Sequence, residues 1–304
     1  MKHRLASQVR IFCGASLILF LALKPPLAQG APAQDVVAHP PAPRQETQAQ
    51  NAHLASHHAV YNLTLGTTGA GSNVSDIRGQ LVYDFQGSAC QGYTLNTRLV
   101  TEVFDREGKP SISDIRSESW EDAGGNHFRF STSQYADGKL SESSKGGARR
   151  SPNNPGAVIL HLEKPQKTYL TLTGKILFPT QHSLSLLRAA LAGQTRLQAD
   201  IYDGSEKGTK VYETSSVIGA PLALSANSQL PSIKNSEVLD NLPSWPVVVS
   251  YYEKGANKDG LPAYEVSFRM YANGVSRKLK LDYGNFSLDG ELSSIEFPET
   301  KPCP

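Results

Sequence analysis

From residue 53 onward, apolar and polar positions alternate with a period of two along most of the chain. Tyr93, Leu95, Thr97, Leu99, Thr101 and Val103 interleave with Thr94, Asn96, Arg98, Val100 and Glu102. Tyr264, Val266, Phe268 and Met270 do the same with Glu265, Ser267 and Arg269. This spacing sends successive side chains to opposite faces of a strand. Turn residues divide the runs. Asn273-Gly274 predicts a tight hairpin whose mirror-image turn needs positive φ at both positions. Asp203-Gly204-Ser205 opens a loop between strands at 197–202 and 209–217. Asp137-Gly138, Tyr283-Gly284-Asn285 and Asp289-Gly290 predict further reversals. Roughly a dozen short strands at this spacing predict an all-β, mainly antiparallel sandwich or barrel-like sheet.

One segment changes period. Residues 180–193 place Leu184, Leu187 and Leu191 on one helical face, with Thr180 as the expected N-cap and Gly193 as the stop. Phe178-Pro179 ends the strand before it. Such a helix either plugs the concave side of the sheet or crosses its surface. Residues 219–244 hold Pro221, Pro231 and Pro243 and predict a loop wrapped around the sheet.

The N-terminus follows a different rule. Lys2, Arg4 and Arg10 precede a short apolar run over 11–23, and small residues follow at Ala28, Gly30, Ala31 and Ala33. That order predicts a secretory signal peptide over 1–30, cleaved after Gly30 or Ala33. The run falls short of the ~20 residues that span a bilayer, and no second apolar stretch of that length follows. Residues 31–52 are rich in Pro, Ala and Gln and read as a disordered spacer. Residues 53–304 then form a single β-rich domain. The whole chain carries 30 basic and 28 acidic residues. Four basic residues leave with the leader, so the exported chain bears a charge of −2. A nearly neutral body without a basic run argues against nucleic acid.

Cleavage also removes Cys13 and leaves Cys90 and Cys303, 213 residues apart. In an oxidising compartment an even pair predicts a disulfide. The bond would hold the chain's last segment onto an early strand.

Candidate chemistry is sparse. His57 and His58 are adjacent and so face opposite ways in a strand, while His127, His161 and His182 are scattered. No metal-ligand spacing occurs. Nucleophile motifs and a phosphate-cradling glycine loop are missing from the sequence. Ser205 offers a hydroxyl in a turn, and Glu121-Asp122 pairs two carboxylates ahead of Ala-Gly-Gly-Asn; both read as solvated turns. No catalytic, cofactor-binding or metal residue is predicted.

Several segments together resemble the EipB family of periplasmic envelope-integrity proteins. They are His57 with Ala59, Val60 and Tyr61, then 78–85, 87–93, 119–122, 178–182, 202–205, 217–219, 271–275 and 281–284. The likeness runs from about 57 to 303; His58 departs from the Arg expected after that histidine. The resemblance implies an open, barrel-like antiparallel β-spiral held by one disulfide, with a role in maintaining the envelope and no transferable catalytic residue. Together with the residues, it predicts a non-enzymatic periplasmic protein that supports the envelope by binding an unidentified envelope protein or lipid, with 180–193 as one short internal or capping helix. Two alternatives stay open: a lipid or lipoprotein carrier with the helix as its lid, and an envelope hydrolase.

Overall fold

The computed structural model describes Ala49 and residues 51–299, apart from 228, 232 and 256–259. The leader, most of the spacer, Cys13 and Cys303 lie outside the described residues. The alternating runs form fifteen described strands in one sheet. They are β1 (His57–Thr68), β2 (Val74–Ser88), β3 (Gly92–Asp105), β4 (Pro110–Glu121), β5 (His127–Ala136), β6 (Lys139–Ser151), β7 (Asn154–Lys164) and β8 (Thr168–Thr173). Then come β9 (Ile176–Leu177), helix α1 (Pro179–Leu191), β10 (Arg196–Ile201), β11 (Tyr212–Ile218), β12 (Ser244–Glu253), β13 (Tyr264–Tyr271), β14 (Ser276–Asp282) and β15 (Phe286–Glu296). The sheet order is β8-β7-β6-β5-β4-β3-β2-β1-β15-β14-β13-β12-β11-β10-β9. Two meanders are thus joined where the first strand pairs with the last, antiparallel, Ala59 opposite Ile295. Only the short β9–β10 ladder is parallel.

The sheet curls into an open barrel around α1. Leu184, Leu186 and Leu187 share a cluster with Phe85 and Tyr93 from the first meander and with Ile218, Trp245, Val247, Val249 and Met270 from the second. A flat sheet could not bring those strands onto one helix. Leu187 is wholly buried and Leu191 is half-buried, so the predicted leucine face plugs the interior and does not cross the surface. The two free edges, β8 and β9, meet without a ladder. A second cluster joins them: Phe128 and Phe130 (β5), Leu160 and Leu162 (β7), Ile176 (β9), Phe178 and Tyr202. Residues 219–244 form the expected loop, which includes a short helix α2 (Glu237–Asp240).

Two turn expectations need correction. The Asn273-Gly274 hairpin exists, but only Gly274 has positive φ. Gly274 N–H donates to Tyr271 O and Tyr271 N–H to Val275 O, which is the three-residue loop with a glycine bulge. The mirror-image turn sits instead at Asp137-Gly138, where both φ are positive. Asp289-Gly290 is no reversal and lies inside β15. A Cβ on Gly290 would come within 3.0 Å of Leu63 and Leu279, so this glycine serves close packing.

Gly204 and Gly138 share nearly the same backbone, φ +75 and +76. A Cβ at Gly204 would overlap the Phe130 ring, whereas nothing lies within 4 Å at Gly138. Gly138→Ala is expected to lose about 1 kcal/mol in urea unfolding, from backbone conformation alone. Gly204→Ala is expected to lose about 2–4 kcal/mol, because the ring must also move. Equal losses would show that the 203–208 loop is not held against β5.

Candidate functional site

The site begins with how α1 is held. The first N–H groups of a helix lack intrahelical partners. Here Thr180 N–H and Gln181 N–H donate to Glu121 Oε2 and Oε1 at 2.8 and 3.1 Å. Glu121 stands at the end of β4 and is 1% exposed. The expected Thr180 cap is therefore replaced: the N-cap position is Phe178, and the cap is supplied from another strand. Glu121 is also no solvated turn residue. Its neighbour Asp122 does fill that role, accepting from the N–H of His127. Burial outweighs the two donors and pushes the Glu121 carboxyl up to about 7. Arg150 completes the mooring. Its Nε and Nη2 donate to Gly125 O and Ile176 O, both at 2.8 Å, and its guanidinium lies over the Phe178 ring. His182 is buried on the helix with Nε2 unpartnered, and burial lowers it to about 4.

The helix fully buries only part of the inner face. Register identifies the residues that share its face. Phe85 lies opposite Leu95, Tyr83 opposite Thr97 and Leu81 opposite Leu99. Across the interior, Tyr251 lies opposite Tyr264, Val249 opposite Val266 and Val247 opposite Phe268. Phe85, Val247 and Val249 are buried against the helix. Leu81, Tyr83, Leu95, Leu99, Tyr251, Tyr264, Val266 and Phe268 stay half-buried, although they point the same way. A half-buried apolar and aromatic wall thus continues along the inner face, packed in part against the core clusters. A polar strip continues it on the first meander, where Ser117 lies opposite Thr132 with their hydroxyls 3.1 Å apart.

The 203–208 loop folds into this interior. Ser144 Oγ donates to Gly204 O at 3.1 Å and Tyr202 O–H to Gly208 O at 2.8 Å. The expected exposed hydroxyl of Ser205 is therefore corrected: its Oγ is buried. Asp203 accepts from Ser205 N–H at 2.9 Å, and burial raises its carboxyl. Tyrosines crowd beside it. Tyr251 and Tyr264 stack at 4.4 Å between centroids, and Tyr212 meets both edge-on at 6.0 and 5.7 Å. Burial and the Asp203 charge raise all three phenols. Tyr212 O–H donates to Glu206, which with Glu253 holds Lys210.

The other sequence candidates scatter. His57 is buried between Tyr83 and Phe85, its Nδ1 2.8 Å from Ala55 O, while His58 takes the opposite face. His161 stacks on Tyr169, and His127 lies beside Asp122. Among the described residues no three His, Cys, Asp or Glu gather as metal ligands. Cys90 is exposed in the β2–β3 turn, its Sγ 3.4 Å from Ser88 Oγ. A hollow of about 190 Å³ beside that turn is lined by Ser88 and Gln91 on one side and Pro298 and Glu299 on the other. The sequence pattern misassigned Glu121 to a solvated turn and did not show the tyrosine wall. The signal for the second was present: Tyr251 and Tyr264 have the strand parity of the core residues Val249 and Met270.

A family model described as EipB-like matches residues 48–299. The cell envelope integrity protein EipB of Brucella abortus (strain 2308) is 36% identical over 247 residues, 81% of this chain and 85% of that protein. The crystal structure of a beta-barrel-like protein of the domain of unknown function DUF1849, from Brucella abortus, has a TM-score of 0.73. It is 34% identical and covers 82% of this chain and 100% of that one.

Glu121 makes stability depend on pH. A carboxyl whose folded pKa is raised holds a proton that the unfolded chain has released. Its contribution is complete below the ordinary carboxylate range and is lost as pH rises through about 7. Glu121→Gln removes that loss. Between pH 4 and 8 the wild type is expected to fall relative to the variant by on the order of 3 kcal/mol in urea unfolding. A constant difference would mean that Glu121 stays ionised throughout.

Proposed function

The chain belongs to the EipB-like family, and from that premise we propose that it is a non-enzymatic binding protein that supports envelope integrity from the periplasm. The observation that carries this reading is the half-buried apolar wall inside the barrel. Half-buried apolar area on Leu81, Tyr83, Leu95, Leu99, Val266 and Phe268 along one inner face supports an interior that takes up an apolar guest. The matching guest is the apolar part of an envelope amphiphile. The same observation favours the carrier reading over the hydrolase: the interior supplies surface for a chain, and no described nucleophile–base pair faces it.

Native mass spectrometry of protein purified without detergent tests this. One bound amphiphile per chain is expected. Phe268→Arg, which would put a charge on that wall, is expected to lose it while the fold is retained. Bare protein, or an adduct that survives the substitution, would remove the interior as the binding site.

We also propose that Cys90 and Cys303 are bonded in the exported protein. Pro298 and Glu299 share a hollow with the turn that holds Cys90. The four residues from Glu299 to Cys303 reach at most ~14 Å, enough to arrive there. Each Cys→Ser change is expected to cost about 2–5 kcal/mol, and the double change little more than either one. Additive losses, or two thiols titrating in denatured, non-reduced protein, would rule the bond out.

A further inference from the structure

One row on the outer face of the first meander is not accounted for by packing. Register sets Trp120 (β4) opposite Arg129 (β5), Arg129 opposite Gly147 (β6), Gly147 opposite His161 (β7) and His161 opposite Tyr169 (β8). Their chain neighbours Phe128, Ala148 and Leu160 are buried in the interior, so these five residues face outward. Four steps between strands carry the row ~19 Å across the sheet. Both ends are aromatic. The Arg129 guanidinium lies over the Trp120 ring at 4.5 Å, and His161 stacks on Tyr169 at 4.7 Å. Tyr169 stays 74% exposed.

The middle of the row is a gap. A glycine inside a strand weakens it, and it marks a bulge, close packing or the close approach of another molecule. Gly146 has the packing reason: a Cβ there would come within 2.5 Å of His161 O. Gly147 does not. A Cβ on it would find Phe128 O at 3.4 Å and Arg129 Cγ at 3.7 Å, both ordinary contacts, and its φ is not positive. The rim of the gap is cationic. Lys145 and Arg149 lie on the same face, one on each side of Gly147, and Lys145 is paired with Glu163 at 2.8 Å. Arg129 and Arg149 are exposed, and among the described residues neither makes an ion pair. Glu118 lies opposite Ser131, and Asp122 accepts from His127 N–H; neither pairs with them. The chain carries 30 basic and 28 acidic residues, so two unbalanced guanidiniums around one gap are a local feature.

Guanidinium groups hold carboxylates and phosphates through paired N–H donors. An exposed ring offers a flat apolar face with a polar tip. The sheet curls away from this side, so the row is convex. A thread-like polymer follows a convex row, whereas a bilayer would touch it along a strand or two. We propose that this row binds a strand of acidic sugars, whose charged groups meet Arg129 and Arg149 and whose rings lie over the Gly147 gap and against Tyr169. The site is outside the barrel and does not depend on the interior reading.

Calorimetry on the purified chain at low salt would use an alginate tetrasaccharide, cellotetraose as its neutral counterpart, and phosphatidylglycerol vesicles. The alginate tetramer is expected to bind one per chain, about tenfold more tightly than cellotetraose. Replacing Arg129 and Arg149 together by Gln is expected to weaken it by about tenfold with the urea midpoint unchanged, while Arg78→Gln on β2 leaves it alone. Gly147→Val keeps every charge and suits a strand better than glycine. It is expected to weaken the tetramer by a similar factor without loss of stability, because it fills the gap. Equal binding of the two tetrasaccharides, or an equal loss from Arg78→Gln, would overturn the site in favour of a diffuse surface effect. Full binding by Gly147→Val would overturn the place given to the gap. Vesicles that bind through the same arginines while the alginate tetramer does not would make this face a membrane contact and overturn the glycan. No binding by any probe would overturn the proposal outright.

Discussion

What keeps this sheet curled is a patch of aromatic and aliphatic side chains where its two ends meet. Fourteen ladders link the fifteen strands, and the ladder that would close the circle is missing. Phe128, Phe130, Leu160 and Leu162 on one side, and Ile176, Phe178 and Tyr202 on the other, pack across the gap instead. Phe128 and Phe178 stack at 5.1 Å, and Tyr202 meets Phe128 and Phe130 edge-on. Everything inside depends on this closure. Without it α1 has only one wall to lie against, and the tyrosines of β11 to β13 face water.

The closure also explains the position of Glu121. Phe178 is the residue just before the helix, so the packing that joins the edges fixes where the first turn of α1 points. It points at β4. A carboxylate there satisfies two helix N–H groups and ties the plug to the first meander, while Arg150 ties Ile176 and Gly125 together beneath it. Cap, stack and plug belong to one construction.

The sequence made the strands legible because alternation is a local property. Residues 93–103 and 264–270 announced their two faces, and β3 and β13 formed there. Turn residues were less dependable, since Gly serves both reversal and close contact. Asp137-Gly138 is a reversal, while Asp289-Gly290 lies mid-strand because Leu63 and Leu279 leave no room for a Cβ. The helix was legible in its leucines and its Gly193, but its cap was not. Thr180 had the right chemistry, yet the acceptor came from 59 positions away. The interior wall was hidden for the same reason. Alternation tells which residues share a face, and only the curl tells whether that face is filled.

The seam has a mechanical meaning. In a closed barrel the circumference is set by the number of strands and their stagger, and widening it means breaking backbone hydrogen bonds. Here the edge β8 runs into the edge β9 through the two-residue link 174–175, and beyond that link side-chain packing replaces a ladder, so part of the girth is a matter of packing. Away from that link the edges can part by rotamer-sized steps while every ladder stays intact, as a coiled leaf spring opens without tearing. Fitting a thicker content would cost repacked side chains at that seam and no backbone hydrogen bond.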